Sequence, residues 1–163
     1  MNGKIVAGSI VLCAAVMGVG IWYAQEYAYY SPVSLGPDLA MTLVPVAGGA
    51  PVKVQADDFH AIDATSSPIR FRACFTVATP LSELTARYAP YVKAEPLLGP
   101  GWFSCFDAKK ISLALQSGAA KAFLAQKGVA PDVDRVIAVF PDGHAYAWQQ
   151  LDPAVPVDTS IEE

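Results

Sequence analysis

Residues 69–77 read IRFRACFTV, which is the clearest secondary-structure signal in the chain. Every second side chain in this stretch is apolar, and the side chains between them are Arg70, Arg72, Cys74 and Thr76. Strict alternation is the period of a β-strand with one face in the core and one face toward solvent. We therefore predict a strand over 69–77 whose polar face carries both arginines and Cys74.

Three helical segments are predicted after this strand. Thr79 and Pro80 are typical of a helix start, and Pro90 ends the apolar spacing that follows. Asp107 is a predicted cap for a helix over 108–116, and a further helix is predicted over 118–127.

Strands flank these helices on both sides. Residues 41–46 and 52–56 are predicted to form a hairpin, residues 57–63 a polar loop segment, and 135–140 and 145–151 a second hairpin. The Asp142-Gly143 dipeptide between the last two strands is a strong hairpin signal. The order of elements predicts an α+β domain with a mostly antiparallel sheet and two to three helices on one face.

The N-terminal region is far more apolar than the rest of the chain. Residues 5–25 contain no charged side chain, whereas the whole chain of 163 residues is 16% charged and 53% hydrophobic. A helix of about 21 residues spans about 31 Å, enough to cross a bilayer. Trp22 and Tyr23 are predicted interface anchors at its downstream end. Because the sequence contains a single segment of this kind, a polytopic transporter is excluded.

Flanking charges predict the orientation of this segment. Lys4 lies upstream and Glu26 downstream, so the N-terminus is expected in the cytoplasm. A cleaved signal peptide is the alternative, but the apolar stretch is long for one, and no small-x-small site follows it. Ala14 and Gly18 have the spacing of a close helix contact, and a plain lipid-facing anchor is the alternative.

The resulting organisation has five parts. We predict a cytoplasmic N-terminus over 1–4, a transmembrane helix over 5–25, a tether over 26–39, a periplasmic domain over 40–151 and a flexible acidic tail over 152–163. The net charge of −4 argues against nucleic acid as a partner.

Cys74 and Cys105 are both in the predicted exported part. In an oxidising compartment such a pair usually forms a structural disulfide. A thiol-redox pair is the alternative, because Cys74 lies near arginines and Cys105 near a helix start. The CxxC spacing of thiol oxidoreductases is absent.

Arg70 and Arg72 project together from the predicted strand and could hold a carboxylate or phosphate of a ligand or partner. A solvated polar face is the simpler interpretation.

Asp57, Asp58, His60 and Asp63 are of metal-ligand type, but their spacing matches neither zinc nor EF-hand patterns, so a solvated loop and no metal or cofactor are predicted. Hydrolase, metalloprotease, phosphate-loop and kinase motifs are also absent. We predict a protein that is not an enzyme, although an acid pair such as Asp63 and Asp107 stays open.

The loop over 97–106 is apolar and aromatic. Trp102, Phe103 and Phe106 either cover the core around Cys105 or form a hydrophobic contact patch.

Four segments resemble an uncharacterised family, a domain of unknown function in small single-span membrane-anchored proteins of alphaproteobacteria. They cover 1–6, 67–75, 100–108 and 141–148. The resemblance implies an inner-membrane, periplasm-facing protein and supplies no catalytic residues.

These observations lead to one functional hypothesis and two alternatives. The first is a non-enzymatic accessory or assembly protein, anchored in the lipid bilayer and bound to an unidentified membrane or periplasmic protein. The alternatives are a binding module for a small anionic ligand using Arg70 and Arg72, and a thiol-redox protein using Cys74 and Cys105.

Overall fold

A computed structural model describes residues 2–156 of the protein, which fall into two compact units, one that ends at Tyr30 and one that begins at Ser31. The first unit is helix α1, Gly3–Tyr23, continued by a π-helical turn over Ala24–Ala28. The Asn2 side chain caps α1 by accepting a hydrogen bond from the Lys4 amide at 3.4 Å. None of the side chains of α1 is buried, and the stretch Gly3–Ala28 is long and apolar enough to cross a membrane.

The second unit is built on a six-stranded sheet in which every neighbouring pair is antiparallel. A separate two-stranded sheet pairs β2 with β3, which confirms a hairpin after residue 41. In sheet order the six strands are β1 (Ser31–Val33), β4 (Asp57–Asp63), β5 (Arg72–Thr76), β8 (His144–Leu151), β7 (Val133–Val139) and β6 (Lys121–Ala130). The remaining elements are β2 (Thr42–Leu43), β3 (Val52–Lys53), α2 (Leu81–Arg87) and α3 (Ala108–Ser117). The predicted α+β class and antiparallel sheet are confirmed.

Both faces of the six-stranded sheet are covered, and each carries its own core cluster. One cluster joins Phe71, which directly precedes β5, and the β5 side chains Ala73 and Phe75 to Met41, Leu43 and Leu84. The other joins Cys74, Val136 and Trp148 to Phe106 and Ile111. Leu84 belongs to α2 and Ile111 to α3, so the two helices lie on opposite faces. The prediction that the helices share one face is wrong in this respect.

The prediction of a helix over 118–127 is wrong. Helix α3 ends at Gly118, which has φ +77° and serves as a left-handed cap. Beyond it the chain forms β6, with Phe123 and Ala125 buried on one face and an antiparallel pairing to β7 that has two register shifts. The alanine-rich composition of this segment favours a helix locally, and the pairing with β7 overrides that preference.

Two further boundaries change. Residues 57–63 form strand β4 rather than a loop, with an irregularity in register between Asp57 and His60. The predicted tether also shortens, since β1 begins at Ser31 and pairs with β4, and the folded unit starts there. Of the predicted tail, residues 157–163 lie outside the described part of the chain.

Two local predictions are confirmed. The Asp107 carboxylate accepts a hydrogen bond from the Lys110 amide at 3.0 Å and so caps α3. The Asp142-Gly143 turn joins β7 to β8, and Gly143 has φ +88° with space for no side chain, because an added Cβ would lie 2.9 Å from the Val77 carbonyl oxygen.

Candidate functional site

The predicted cysteine pair forms a disulfide between Cys74 and Cys105. Cys74 lies in β5 and is buried on the face that α3 covers, whereas Cys105 is exposed at the end of the 97–106 loop. The bond therefore ties the start of α3 and the preceding loop to the centre of the sheet. Whether it has a redox role stays a hypothesis.

Arg72 is buried, with only 3% of its surface exposed, and its guanidinium donates four hydrogen bonds to backbone carbonyls. Two of them reach the 97–106 loop, at the Leu97 oxygen (2.8 Å) and the Leu98 oxygen (3.0 Å). The guanidinium also lies 5.7 Å from the ring centroid of Phe106. Arg72 thus holds the loop onto the sheet.

This placement differs from the predicted exposed arginine fork. Arg70 precedes β5 and is half-buried, while Arg72 and Cys74 face the cluster under α3. The alternation of residues 69–77 distinguishes the two faces of the strand correctly, but both faces are covered. An arginine on a strand that is covered on both faces can be buried only when acceptors such as backbone carbonyls satisfy its hydrogen-bond donors.

The 97–106 loop has a fixed backbone and partly exposed apolar side chains. Turn hydrogen bonds join Phe103 N to the Pro100 oxygen at 3.0 Å and Phe106 N to the Phe103 oxygen at 3.2 Å. Leu98 is 81% exposed and Trp102 is 41% exposed, whereas Phe106 is buried and Phe103 is half-buried against the same cluster. The three aromatic residues therefore differ in exposure: Phe106 belongs to the core, Phe103 is half-buried against it, and Trp102 lies at the surface.

A second feature is an open cleft between β4, β7, β8 and the segment that follows β1. It consists of two adjoining depressions of about 480 and 460 Å³, both lined by Asp38, Asp63 and Arg135. Gln149, Thr65, Ser67 and Pro68 also line the larger depression. We call this the polar cleft.

Arg135 is the basic residue that lines both depressions of the polar cleft. Its guanidinium lies 4.6 Å from the Phe71 ring centroid. With the Gln149 amide oriented so that its oxygen faces Arg135, Nη2 donates to that oxygen at 3.1 Å and the Gln149 nitrogen donates to the Pro68 oxygen at 2.7 Å. Burial lowers the pKa of Arg135, although the Asp63 charge opposes that shift. Burial raises the pKa of Asp63, an effect opposed by its hydrogen bond from the Ala64 amide and by the charges of Arg135 and Arg72.

Sequence reasoning did not single out Arg135, Gln149 or Asp38. The available signal was two adjacent charged side chains, Asp134 and Arg135, inside the otherwise apolar run of residues 133–140. Asp63 and Arg135 come from strands far apart in the chain, and only the strand order brings them into one cleft.

A family model for a family of unknown function, DUF6446, matches residues 41–157. The chain belongs to the DUF6446 family. Comparison with curated proteins and with solved structures finds no match. The matched range includes the disulfide, the 97–106 loop and Arg135, and Asp38 lies just before it.

The other candidate residues of this DUF6446 domain are dispersed. Asp57, Asp58 and His60 are exposed along β4, and Asp63 alone of that group lines the polar cleft. Asp107 is engaged as the α3 cap. Within residues 2–156, no group of three histidine, cysteine or acidic side chains is placed to hold a metal ion.

His144 flanks the last turn of the DUF6446 domain. It is exposed, and its Nδ1 lies 3.0 Å from a carboxylate oxygen of Asp142. The Asp142 carboxylate also accepts the His144 amide at 3.1 Å, which lowers the pKa of Asp142. This arrangement stabilises the turn.

The N-terminal unit, which precedes the DUF6446 match, contains the predicted interface aromatics. At the end of α1, Tyr23 stacks on Tyr27 with ring centroids 5.6 Å apart, and Trp22 meets the same ring edge-on at 5.9 Å. Cys13 is free and exposed in the middle of α1. A cluster of amphipathic rings at one end of an apolar helix is typical of a membrane interface.

Proposed function

We propose that the protein is a non-enzymatic accessory protein, held in the inner membrane by α1, that presents its disulfide-tied domain in the periplasm to a membrane or envelope protein. The observation that carries this proposal is the 97–106 loop, whose backbone is fixed from beneath while Leu98 and Trp102 face outward.

Five observations support the anchoring and the orientation. The stretch Gly3–Ala28 could cross a membrane, Lys4 precedes its apolar part, and Trp22 and Tyr23 lie at the other end. The disulfide fits an oxidising compartment. The resemblance to alphaproteobacterial single-span proteins supports the same location.

The construction of the loop supports contact with a partner protein. Binding is weakened when a flexible loop must be ordered, and a loop ordered in advance avoids that loss. Arg72 fixes the Leu97 and Leu98 carbonyls, and the disulfide fixes the far end at Cys105. Exposed tryptophan and leucine on such a frame form an apolar contact surface, and tryptophan is enriched where interface energy concentrates.

We expect the protein purified from native membranes to retain α1. Its intact mass should then correspond to the full chain of 17.2 kDa, apart from removal of the initiating methionine. Mass spectrometry of the membrane fraction makes the measurement. A shorter chain that begins after the apolar segment would show that the segment is a signal peptide and would contradict the anchor.

Substituting Leu98→Glu should reduce crosslinked recovery of the partner at least tenfold, because a carboxylate would enter an apolar contact. The fold should tolerate the change, since surface substitutions usually alter stability by less than about 0.5 kcal/mol. Crosslinking in native membranes, followed by purification in mild detergent, makes the comparison with the wild type.

The matched control is Leu113→Glu. Because Leu113 is 55% exposed on α3, the fold should tolerate a glutamate at this position as well. Its partner recovery should equal that of the wild type. Equal losses in both variants, or a wild-type protein that is recovered alone under every condition, would contradict the proposal.

A further inference from the structure

The polar cleft holds opposite charges that do not pair with each other. Arg135 provides one cation, Asp63 lies inside the same cleft, and Asp38 lies at its exposed rim. Among residues 2–156, no ion pair joins Arg135 to either carboxylate. The cleft therefore offers a cationic and an anionic contact side by side.

The protein does not use all the hydrogen-bonding capacity of Arg135. Its Nη2 bonds to Gln149, but its buried Nε has no partner within the described residues. Stacking on Phe71 at 4.6 Å fixes the plane of the guanidinium. A guanidinium held in one plane and incompletely hydrogen-bonded is suited to recognition of a carboxylate.

Asp63 provides the complementary contact. One of its oxygens accepts the Ala64 amide at 2.7 Å, which fixes the carboxylate at the end of β4. The side chain is half-buried, so a cation that approaches it would be partly shielded from water.

The charge balance selects the class of ligand. With one arginine and two aspartates the cleft has a formal charge of −1, so a phosphate or other multiply charged anion would meet repulsion. A simple cation would meet Arg135. A small molecule that carries both charges complements both contacts, and a volume of about 480 Å³ lies within the usual range of small-molecule sites.

We propose that the polar cleft is a binding site for a small zwitterion of the α-amino acid class, whose carboxylate contacts the Arg135 guanidinium and whose ammonium contacts the Asp63 carboxylate. This site lies apart from the 97–106 loop in the residues that build it. It does not depend on the accessory role, and the failure of either proposal would leave the other standing.

Calorimetric titration of the full chain in detergent micelles tests the proposal. The probes are the standard amino acids and, for each one that binds, its analogue without the ammonium and its analogue without the carboxylate, which for alanine are propionate and ethylamine. We expect saturable binding of at least one amino acid. Removing either charge from that ligand should weaken binding at least tenfold. The absence of binding by every amino acid, or equal binding of that amino acid and of its analogue without the ammonium, would overturn the proposal.

Two variants locate the site. Arg135→Gln should weaken binding of the amino acid at least tenfold, and Asp63→Asn should do the same without altering the weak binding of the analogue that lacks the ammonium. Arg87→Gln is the control, because Arg87 is exposed on α2 and paired with Glu83. If Arg135→Gln fails to fold, Asp63→Asn decides alone. Unchanged binding in a folded variant of either residue would overturn the proposal.

Discussion

Replacing Cys74 and Cys105 together by alanine should lower the free energy of unfolding by about 3 to 4 kcal/mol. The disulfide closes a loop of 31 positions, and the chain-entropy model assigns about that much to a loop of this length. Because small domains are stable by only about 5 to 15 kcal/mol, this is a large share of the total. The loss of local stability should be greatest around the 97–106 loop and the start of α3, which the bond ties to β5.

Urea unfolding of the full chain in micelles, followed by tryptophan fluorescence, measures the effect. Cys13→Ala is the control, since Cys13 is free and exposed in α1, and its unfolding curve should match the wild type. The same variants separate the structural role from the redox hypothesis. A double variant with wild-type stability, together with a reduction potential above about −300 mV, would contradict a structural bond.

Substituting Arg72→Met should destabilise the protein by about 3 to 5 kcal/mol, because it breaks a buried network of charged hydrogen bonds. Methionine has similar length and can fill much of the space, but it donates no hydrogen bond. The carbonyls of Ile69, Phe71, Leu97 and Leu98 would lose the donor that the structure provides. We also expect the 97–106 loop to loosen first, since two of the four bonds hold it.

The control is Arg87→Met, which removes an exposed arginine whose partner is Glu83 one helical turn away. Such exposed pairs contribute little, so no measurable change is expected. Hydrogen exchange of the amides over 97–106 provides a second readout. Wild-type exchange in Arg72→Met would show that the loop is held by other contacts and would contradict the role assigned to Arg72.

Local patterns predicted the elements that depend on neighbouring residues. The α3 cap at Asp107 and the Asp142-Gly143 turn follow from short-range hydrogen bonding and backbone sterics, and both are present. The apolar helix follows from composition alone. In the same way, the alternation over 69–77 correctly assigned Ala73 and Cys74 to opposite faces of β5.

Local patterns failed where strand pairing decided the outcome. Residues 121–130 have helix-forming composition, yet they form β6 because β7, which follows after a two-residue turn, provides an antiparallel partner. Residues 57–63 appeared too polar for a strand, yet β1 and β5 pair on either side of them. Backbone hydrogen bonds to neighbouring strands outweighed the local preference in both cases.

Composition and local patterns were sufficient to predict the class of the protein: one apolar helix, an α+β domain with an antiparallel sheet, and two cysteines suited to a disulfide. Which charged groups are available to a ligand depends instead on the packing of the folded domain. Both faces of the sheet are covered, so Arg72 is buried and its guanidinium donates hydrogen bonds to backbone carbonyls. The strand order brings Arg135 and Asp63 into an open cleft. The physical reason is that periodicity identifies the two faces of a strand, whereas the packing of distant elements determines what covers each face.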